Sequence, residues 1–222
     1  MLREGTKMKK LVIFDLDGTL LNTLEDLCSS TNFALRSEDL PERSLDEVRR
    51  FVGNGIRKLI ERAVPEGTDA ALTDRVFSAF KMHYTANCEV KTAPYGGIRE
   101  LLRSLKNRGV LLGVVSNKAD QPVKKLIVHY FPDTFDSVVG EREGVRKKPA
   151  PDSVLETVRT LGCEISDAVY VGDSDVDFHT AENAGCDCVL VSWGFREREL
   201  LKSFGVPVAD AAADLLTELD KI

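Results

Sequence analysis

The stretch Leu11-Val12-Ile13-Phe14-Asp15-Leu16-Asp17-Gly18-Thr19 decides the fold. Four apolar residues run directly into two carboxylates spaced one residue apart, then a glycine and a hydroxyl. An unbroken apolar run of this kind predicts a strand buried on both faces, the pattern of a parallel sheet. Asp15 then emerges at the carboxyl edge of that sheet, where open α/β folds collect their ligands. Gly18 permits a sharp turn or a close approach, and Thr19 sets a hydroxyl beside it. Because Asp-Gly also serves ordinary turns, the weight of this reading falls on whether other strand ends bring matching chemistry.

The chain of 222 residues has room for one large α/β domain, or a core with a smaller insert. Five cysteines, at 28, 88, 163, 186 and 188, show no paired metal-binding or redox spacing, which points to a reducing, cytoplasmic setting. A formal net charge of −6 with no basic stripe argues against a nucleic-acid partner. No apolar run approaches the ~20 residues that span a bilayer, so no membrane partner is expected. The basic residues before Leu11 lead into an apolar run too short for a signal peptide.

Outward from the opening strand, helical periodicity takes over. Residues 24–36, 44–51, 56–64 and 69–89 each pattern as an amphipathic helix, the second and third separated by Val52-Gly53-Asn54-Gly55. With no period-2 strand among them, residues 21–94 are predicted to form an all-helical insertion. Pro94-Tyr95-Gly96-Gly97 punctuates its end. Strands and helices then alternate: helix 98–108, strand 110–115, helix 121–130, strand 135–139, helix 151–161, strand 168–171, a helix to Ala184, strand 188–191, a short helix near 197–203 and a last one from about 211. Such alternation predicts a doubly wound, Rossmann-like parallel sheet formed by residues 1–20 and 95–222.

Three apolar strands end in reactive groups: Asp15 and Asp17, then Ser116 and Asn117, then Asp173 and Asp177. In a parallel sheet these ends share one edge, so residues far apart in the chain meet in one pocket. Lys147-Lys148-Pro149-Ala150-Pro151 supplies a stiffened loop with two cations. Crowded carboxylates do not all stay ionised without a compensating cation, and the lack of a His or Cys cluster points to Mg2+. A divalent ion and a lysine together attract phosphate. Either Asp15 or Asp17 is then placed to attack phosphorus, the other acting as general acid and base.

Asp15-x-Asp17-Gly18-Thr19, Ser116 after an apolar strand, Lys148-Pro149 and Gly172-Asp173-(x)3-Asp177 resemble, in order, the four motifs of the haloacid dehalogenase superfamily. The helical insertion after the first motif resembles the cap of that superfamily's phosphoglycolate phosphatase and β-phosphoglucomutase branch. Val52-Gly53-Asn54-Gly55 and Trp193-Gly194-Phe195 are similar to the phosphoglycolate phosphatase pattern. Asn22-Thr23 departs from the Asp-Ser of many relatives, at a position beyond the catalytic loop.

The resemblance implies a Mg2+-dependent phosphomonoester hydrolase acting on a small phosphorylated metabolite, with 2-phosphoglycolate first among candidates, as a monomer or homodimer. By the same resemblance Asp15 is the nucleophile and a metal ligand. Asp17 is the general acid and base, with its backbone carbonyl on the metal, and Asp173 completes the protein ligands. Asp177 orients the metal shell or Lys148, with Ser174 a lesser contributor beside it. Ser116, Asn117 and Lys148 hold phosphate oxygens, Lys148 also screens Asp15, and Thr19 is a further substrate-side candidate. From the insertion, Gly53, Asn54, Gly55 and Arg57 are expected to meet the substrate, with the helices closing over the site on hinges near residues 20–21 and 94–95. The alternatives are a sugar-phosphate mutase, another small-metabolite phosphatase or a pyrophosphatase of the same family, and a phosphate-binding sensor without catalysis.

Other residues carry little weight. His83, His129 and His179 are scattered and read as structural or exposed. Trp193 reads as a core wall, and Arg142, Arg146 and Lys147 as a solvated cluster or an anion-steering patch.

Overall fold

The computed structural model describes residues 9–222; the basic residues Arg3 and Lys7 lie outside that range. Five parallel pairings join β1 (Leu11–Phe14), β4 (Leu111–Ala119), β5 (Ser137–Glu141), β6 (Ala168–Gly172), β7 (Asp187–Val191) and β8 (Val208–Ala209) in the order β5-β4-β1-β6-β7-β8. The sheet is a Rossmann-like α/β arrangement. Its crossovers include α5 (Ile98–Asn107), α6 (Asp120–Tyr130), α7 (Asp152–Thr160), α8 (Asp175–Ala184) and α9 (Arg198–Lys202), and α10 (Ala212–Leu219) closes the chain. Among the remaining elements are the two-residue strands β2 (Leu21–Asn22) and β3 (Ala93–Pro94), which pair with each other, and the helices α1 (Leu24–Arg36), α2 (Leu45–Phe51), α3 (Ile56–Ala63) and α4 (Ala70–Asn87).

The chain divides into two compact units, one comprising the sequence through Leu20 with Pro94–Ile222, the other Leu21–Ala93. In the sheet unit β1 is central and fully buried, with Phe14 in register with Val114 on one side and Val171 on the other. The chain winds outward from β1 through β4 to β5, then returns to β6 and winds the opposite way to β8. That reversal between β1 and β6 opens a crevice at their carboxyl ends. In the helical unit, Ser44 and Glu47 form a reciprocal capping box at the start of α2, and Asp69 caps α4. Buried Asp26 accepts from the backbone N–H groups of Lys91 and Thr92, fixing the segment after α4.

The short strands β2 and β3, at the ends of the insertion expected to be all-helical, and β8 were not expected, and strand ends differ from the sequence expectation chiefly at β4 and β5. β4 runs on through Ser116 to Ala119 instead of ending at Val115. β5 begins at Ser137, not Phe135. Phe135 turns edge-on to Phe14 and Phe131, while Asp136 takes Leu112 N–H on its carboxylate and donates its own N–H to Leu112 O, so the ladder starts one residue later. Among the described residues, no helix is long and apolar enough to cross a membrane.

Candidate active site

The register of the central strands brings the carboxylates together. Asp15 N–H donates to Val171 O at 2.9 Å, continuing the β1–β6 ladder one residue past Phe14. Beyond the end of β6 stands Asp173, 2 % exposed. Ser174 then caps α8 in a box with Asp177: Asp177 Oδ2 accepts from the N–H groups of Asp173 and Ser174 at 3.2 and 3.1 Å and from Ser174 Oγ at 2.6 Å. The device that starts the helix therefore also aims Asp177 back at the sheet edge. Among the described residues, Asp15, Asp173 and Asp177 form a group of acids whose ligand oxygens lie within 4.8 Å of one another.

Lys148 reaches into this group. Its ammonium lies 2.9 Å from Asp15 Oδ1 and donates at 2.8 Å to Asp177 Oδ1 and at 2.9 Å to the Tyr170 hydroxyl. Tyr170 in turn donates to Val115 O at 3.0 Å. Asn117 clamps the lysine's backbone, accepting Lys148 N–H at 2.8 Å and donating to Lys148 O at 3.0 Å. Burial acts to lower the ammonium's proton affinity, but Asp15 and Asp177 outweigh it and hold the group charged well above the usual lysine range. Burial pushes the Asp15 carboxyl up to about 7, against the pull of Lys148. Asp173 moves upward for the same reason, reinforced by Asp177 and Asp15.

The Asp17 carboxylate faces elsewhere: both of its oxygens accept from Lys118 Nζ, at 2.7 and 3.0 Å. The expected metal ligands Asp15 and Asp173 therefore share one cluster, while the side chain of Asp17 lies on a separate cation. Thr19, expected on the substrate side, is fully buried, and its hydroxyl donates to Asp173 Oδ1 at 3.3 Å. The other Asp173 oxygen accepts Phe195 N–H at 2.7 Å. A Cβ on Gly18, where φ is +87°, would lie 2.7 Å from Asp173 Cγ, and one on Gly194 only 2.5 Å from it. The chain thus wraps Asp173 so closely that only glycine fits at either position. Trp193 is more than a wall, since its indole N–H donates to Thr19 O at 3.0 Å.

Ser116 is buried, and its hydroxyl accepts Lys118 N–H at 3.2 Å. Gly53, Asn54, Gly55 and Arg57 belong to the helical unit. Gly55 precedes α3, Asn54 accepts from Arg62, and Arg57 is held by Glu61 and Asp74 over the Phe77 ring. The basic residues Arg142, Arg146 and Lys147 each have a carboxylate partner, in Glu156, Asp152 and Glu141. His83 bonds Ser30 and stacks on Phe33, and His179 pairs with Glu182.

Lys118 and Tyr170 are the site residues that the sequence reading misses. No local signal marks the first, because the apolar run stops at Val115 while the strand continues to Ala119.

The crevice between reversing parallel strands, lined by acids and two buried lysines, is the switch-point site of a Rossmann-like α/β enzyme. The haloacid dehalogenase-like hydrolase family model matches residues 12–191, and the chain belongs to that family as a phosphatase. It is 34% identical over 187 residues to a phosphoglycolate phosphatase of Aquifex aeolicus, covering 84% of this chain and 86% of that protein. A phosphoglycolate phosphatase of Mesorhizobium japonicum is 35% identical over 196 residues, 86% of either chain. A candidate phosphoglycolate phosphatase crystal structure from Lactobacillus delbrueckii subsp. bulgaricus superposes with a TM-score of 0.91 at 33% identity, over 96% of this chain and 99% of that one.

Proposed function

We propose that this protein is a Mg2+-dependent phosphomonoester hydrolase of a small phosphorylated metabolite, with 2-phosphoglycolate the preferred substrate, working through a phosphoryl group carried on Asp15. One observation carries the reading: Asp15, Asp173, Asp177 and Lys148 meet at one sheet edge, with the Lys148 ammonium 2.9 Å from Asp15. The curated relatives that share the fold and are named phosphoglycolate phosphatase support the substrate.

The donor set fits the ion. The site offers hard carboxylate oxygens, and burial makes Asp15 and Asp173 reluctant to ionise unless a cation joins them. Asp15 and Asp173 side chains with the Asp17 backbone carbonyl would hold Mg2+. Both oxygens of Asp177 are already committed to Lys148 and to the α8 cap, which makes it the support of the site. When bound, Mg2+ would neutralise phosphate charge and orient the phosphoryl group.

Asp15 Oδ attacks phosphorus, forming an O–P bond as the ester P–O bond breaks, and Asp17 delivers a proton to the departing oxygen. Asp17 then takes a proton from water, whose oxygen attacks phosphorus; the Asp15 O–P bond breaks, releasing inorganic phosphate and restoring both acids. Lys148 screens the charge between Asp15 and the incoming phosphate. Backbone N–H groups near Ser116 and Asn117 complete the proposed phosphate cradle, since the Asn117 amide is spent on Lys148. Gly53, Asn54, Gly55 and Arg57 stay the proposed specificity contributors of the helical unit. All five cysteines are thiols, which supports a cytoplasmic setting.

A panel of phosphorylated metabolites, including hexose phosphates and pyrophosphate, scored by kcat/KM with and without EDTA, tests the proposal. Highest kcat/KM for 2-phosphoglycolate, lost with EDTA and restored by Mg2+, is expected. Transfer of the phosphoryl group to a sugar, or activity indifferent to chelation, would contradict it.

A further inference from the structure

Beside the acid cluster lies a second ion pair, whose cation has no part in the mechanism above. Lys118 Nζ donates to both oxygens of Asp17, with the lysine side chain 5% and the aspartate 17% exposed. The backbone there is irregular. Val115 is in register with Val139 and Ala119 with Glu141, so four steps along β4 oppose two along β5. A bulge of this kind breaks the ladder and re-aims side chains, and bulges gather at sheet edges beside active sites. Here it carries Lys118 across to β1's loop, its backbone N–H tethered to Ser116 Oγ.

The two lysines divide the acids between them. Lys148 serves Asp15 and Asp177, and Lys118 serves Asp17. An ammonium held 2.7 and 3.0 Å from the two carboxylate oxygens fixes where that carboxyl group points. A carboxylate two residues from Asp15 and released from such a hold would be drawn to any cation in the neighbouring acid cluster, where it could no longer serve the leaving group.

We propose that Lys118 is a positioning residue for Asp17: it holds this carboxyl group out of the acid cluster and aimed at the leaving-group oxygen. The inference rests on the proposed hydrolase mechanism, but it makes a separate prediction. Protonation of the leaving oxygen matters greatly for an alkoxide and little for a phenolate that departs unaided. Since kcat/KM reports the steps through the first irreversible one, it isolates departure of the leaving group from later attack by water.

The experiment compares kcat/KM of wild type and Lys118→Met for 2-phosphoglycolate and for p-nitrophenyl phosphate, at fixed Mg2+. The expected result is a loss of about 30-fold or more with the alkyl ester, and within about threefold with the aryl ester, in line with the roughly 10²–10⁴ that a general acid supplies. In an Asp17→Asn background the lysine substitution should add nothing further to the alkyl loss. Parallel losses on both esters, or no loss on either, overturn the proposal. Should the methionine variant fail to fold, Lys118→Gln, which keeps one N–H donor without the charge, gives the same comparison. Asp15→Asn run alongside separates the two levels: full turnover by that variant would remove the hydrolase reading itself, whatever Lys118 does.

Discussion

Gly194→Ala tests the site's architecture most sharply, because the residue touches neither substrate nor metal in the mechanism proposed. The added Cβ would lie 2.5 Å from Asp173 Cγ, well inside the 3.4 Å at which ordinary van der Waals contact begins. Either Asp173 or the segment carrying Gly194 must move by about an ångström, and Asp173 is held on both sides, by Phe195 N–H at 2.7 Å and Thr19 Oγ1 at 3.3 Å. Overpacking of this size costs about 1–3 kcal/mol, which for a chain of this length lowers the melting temperature by about 2–12 °C. Disturbing the surroundings that orient a metal ligand such as Asp173 weakens metal affinity by about 10–100-fold. Differential scanning fluorimetry and a Mg2+ titration of phosphatase activity read both effects. Gly96→Ala, whose Cβ meets nothing within 4 Å, is the control and should stay within about 0.5 kcal/mol of wild type. A Gly194→Ala protein with unchanged melting temperature and unchanged Mg2+ dependence would refute the tight enclosure of Asp173.

Four further outcomes are expected. Asp15, pushed up to about 7 by burial, and Asp173, shifted the same way, must lose protons to bind metal, so apparent Mg2+ affinity should weaken about tenfold per pH unit per displaced proton below about pH 7; calorimetric titrations giving a pH-independent affinity would contradict this. A carboxyl whose folded-state pKa is raised gives stability that is present below its unfolded value and lost as pH rises through the folded one, so without Mg2+ the contribution of Asp15 should fade between about pH 4 and 7 and return on adding the ion. Lys148→Met removes the cation shared by Asp15 and Asp177 and should cost about 3–5 kcal/mol in denaturant unfolding at neutral pH; a loss below about 1 kcal/mol would show the pair to be well solvated. Burial pushes the Cys186 thiol up to about 12, so iodoacetamide at pH 8 should leave it unlabelled in the native protein and label it in urea, with rapid native labelling the contrary result.

Much of the sheet and the acid set was legible in the sequence because each rests on a local pattern. Apolar runs such as Leu11–Phe14 and Ala168–Gly172 end in carboxylates, and a parallel sheet sends such ends to one edge. Side chains recruited from the interior were not legible. Tyr170 reads as one more core residue until Lys148, 22 positions earlier, is seen to donate to its hydroxyl. Lys118 was hidden because the apolar run stops at Val115 while the strand continues to Ala119, carried on by pairing with β5 that no local signal announces. Thr19 and Asn117 read from the sequence as substrate-side candidates, yet their bonds go to Asp173 and to the Lys148 backbone, because a buried polar group takes the nearest partner available. The bond from Phe195 N–H to Asp173 joins residues 22 positions apart through the loop after β7, which only the fold reveals.

The claim that Asp15 itself carries the phosphoryl group is tested most directly by acid-quenching the enzyme during turnover with 2-phosphoglycolate and mapping the modified peptide by mass spectrometry. A single phosphoryl group on the peptide containing Asp15, labile to hydroxylamine and absent from Asp15→Asn, is the predicted result. Turnover at full rate with no acyl phosphate trapped, or with the phosphoryl group on any other residue, would contradict the account.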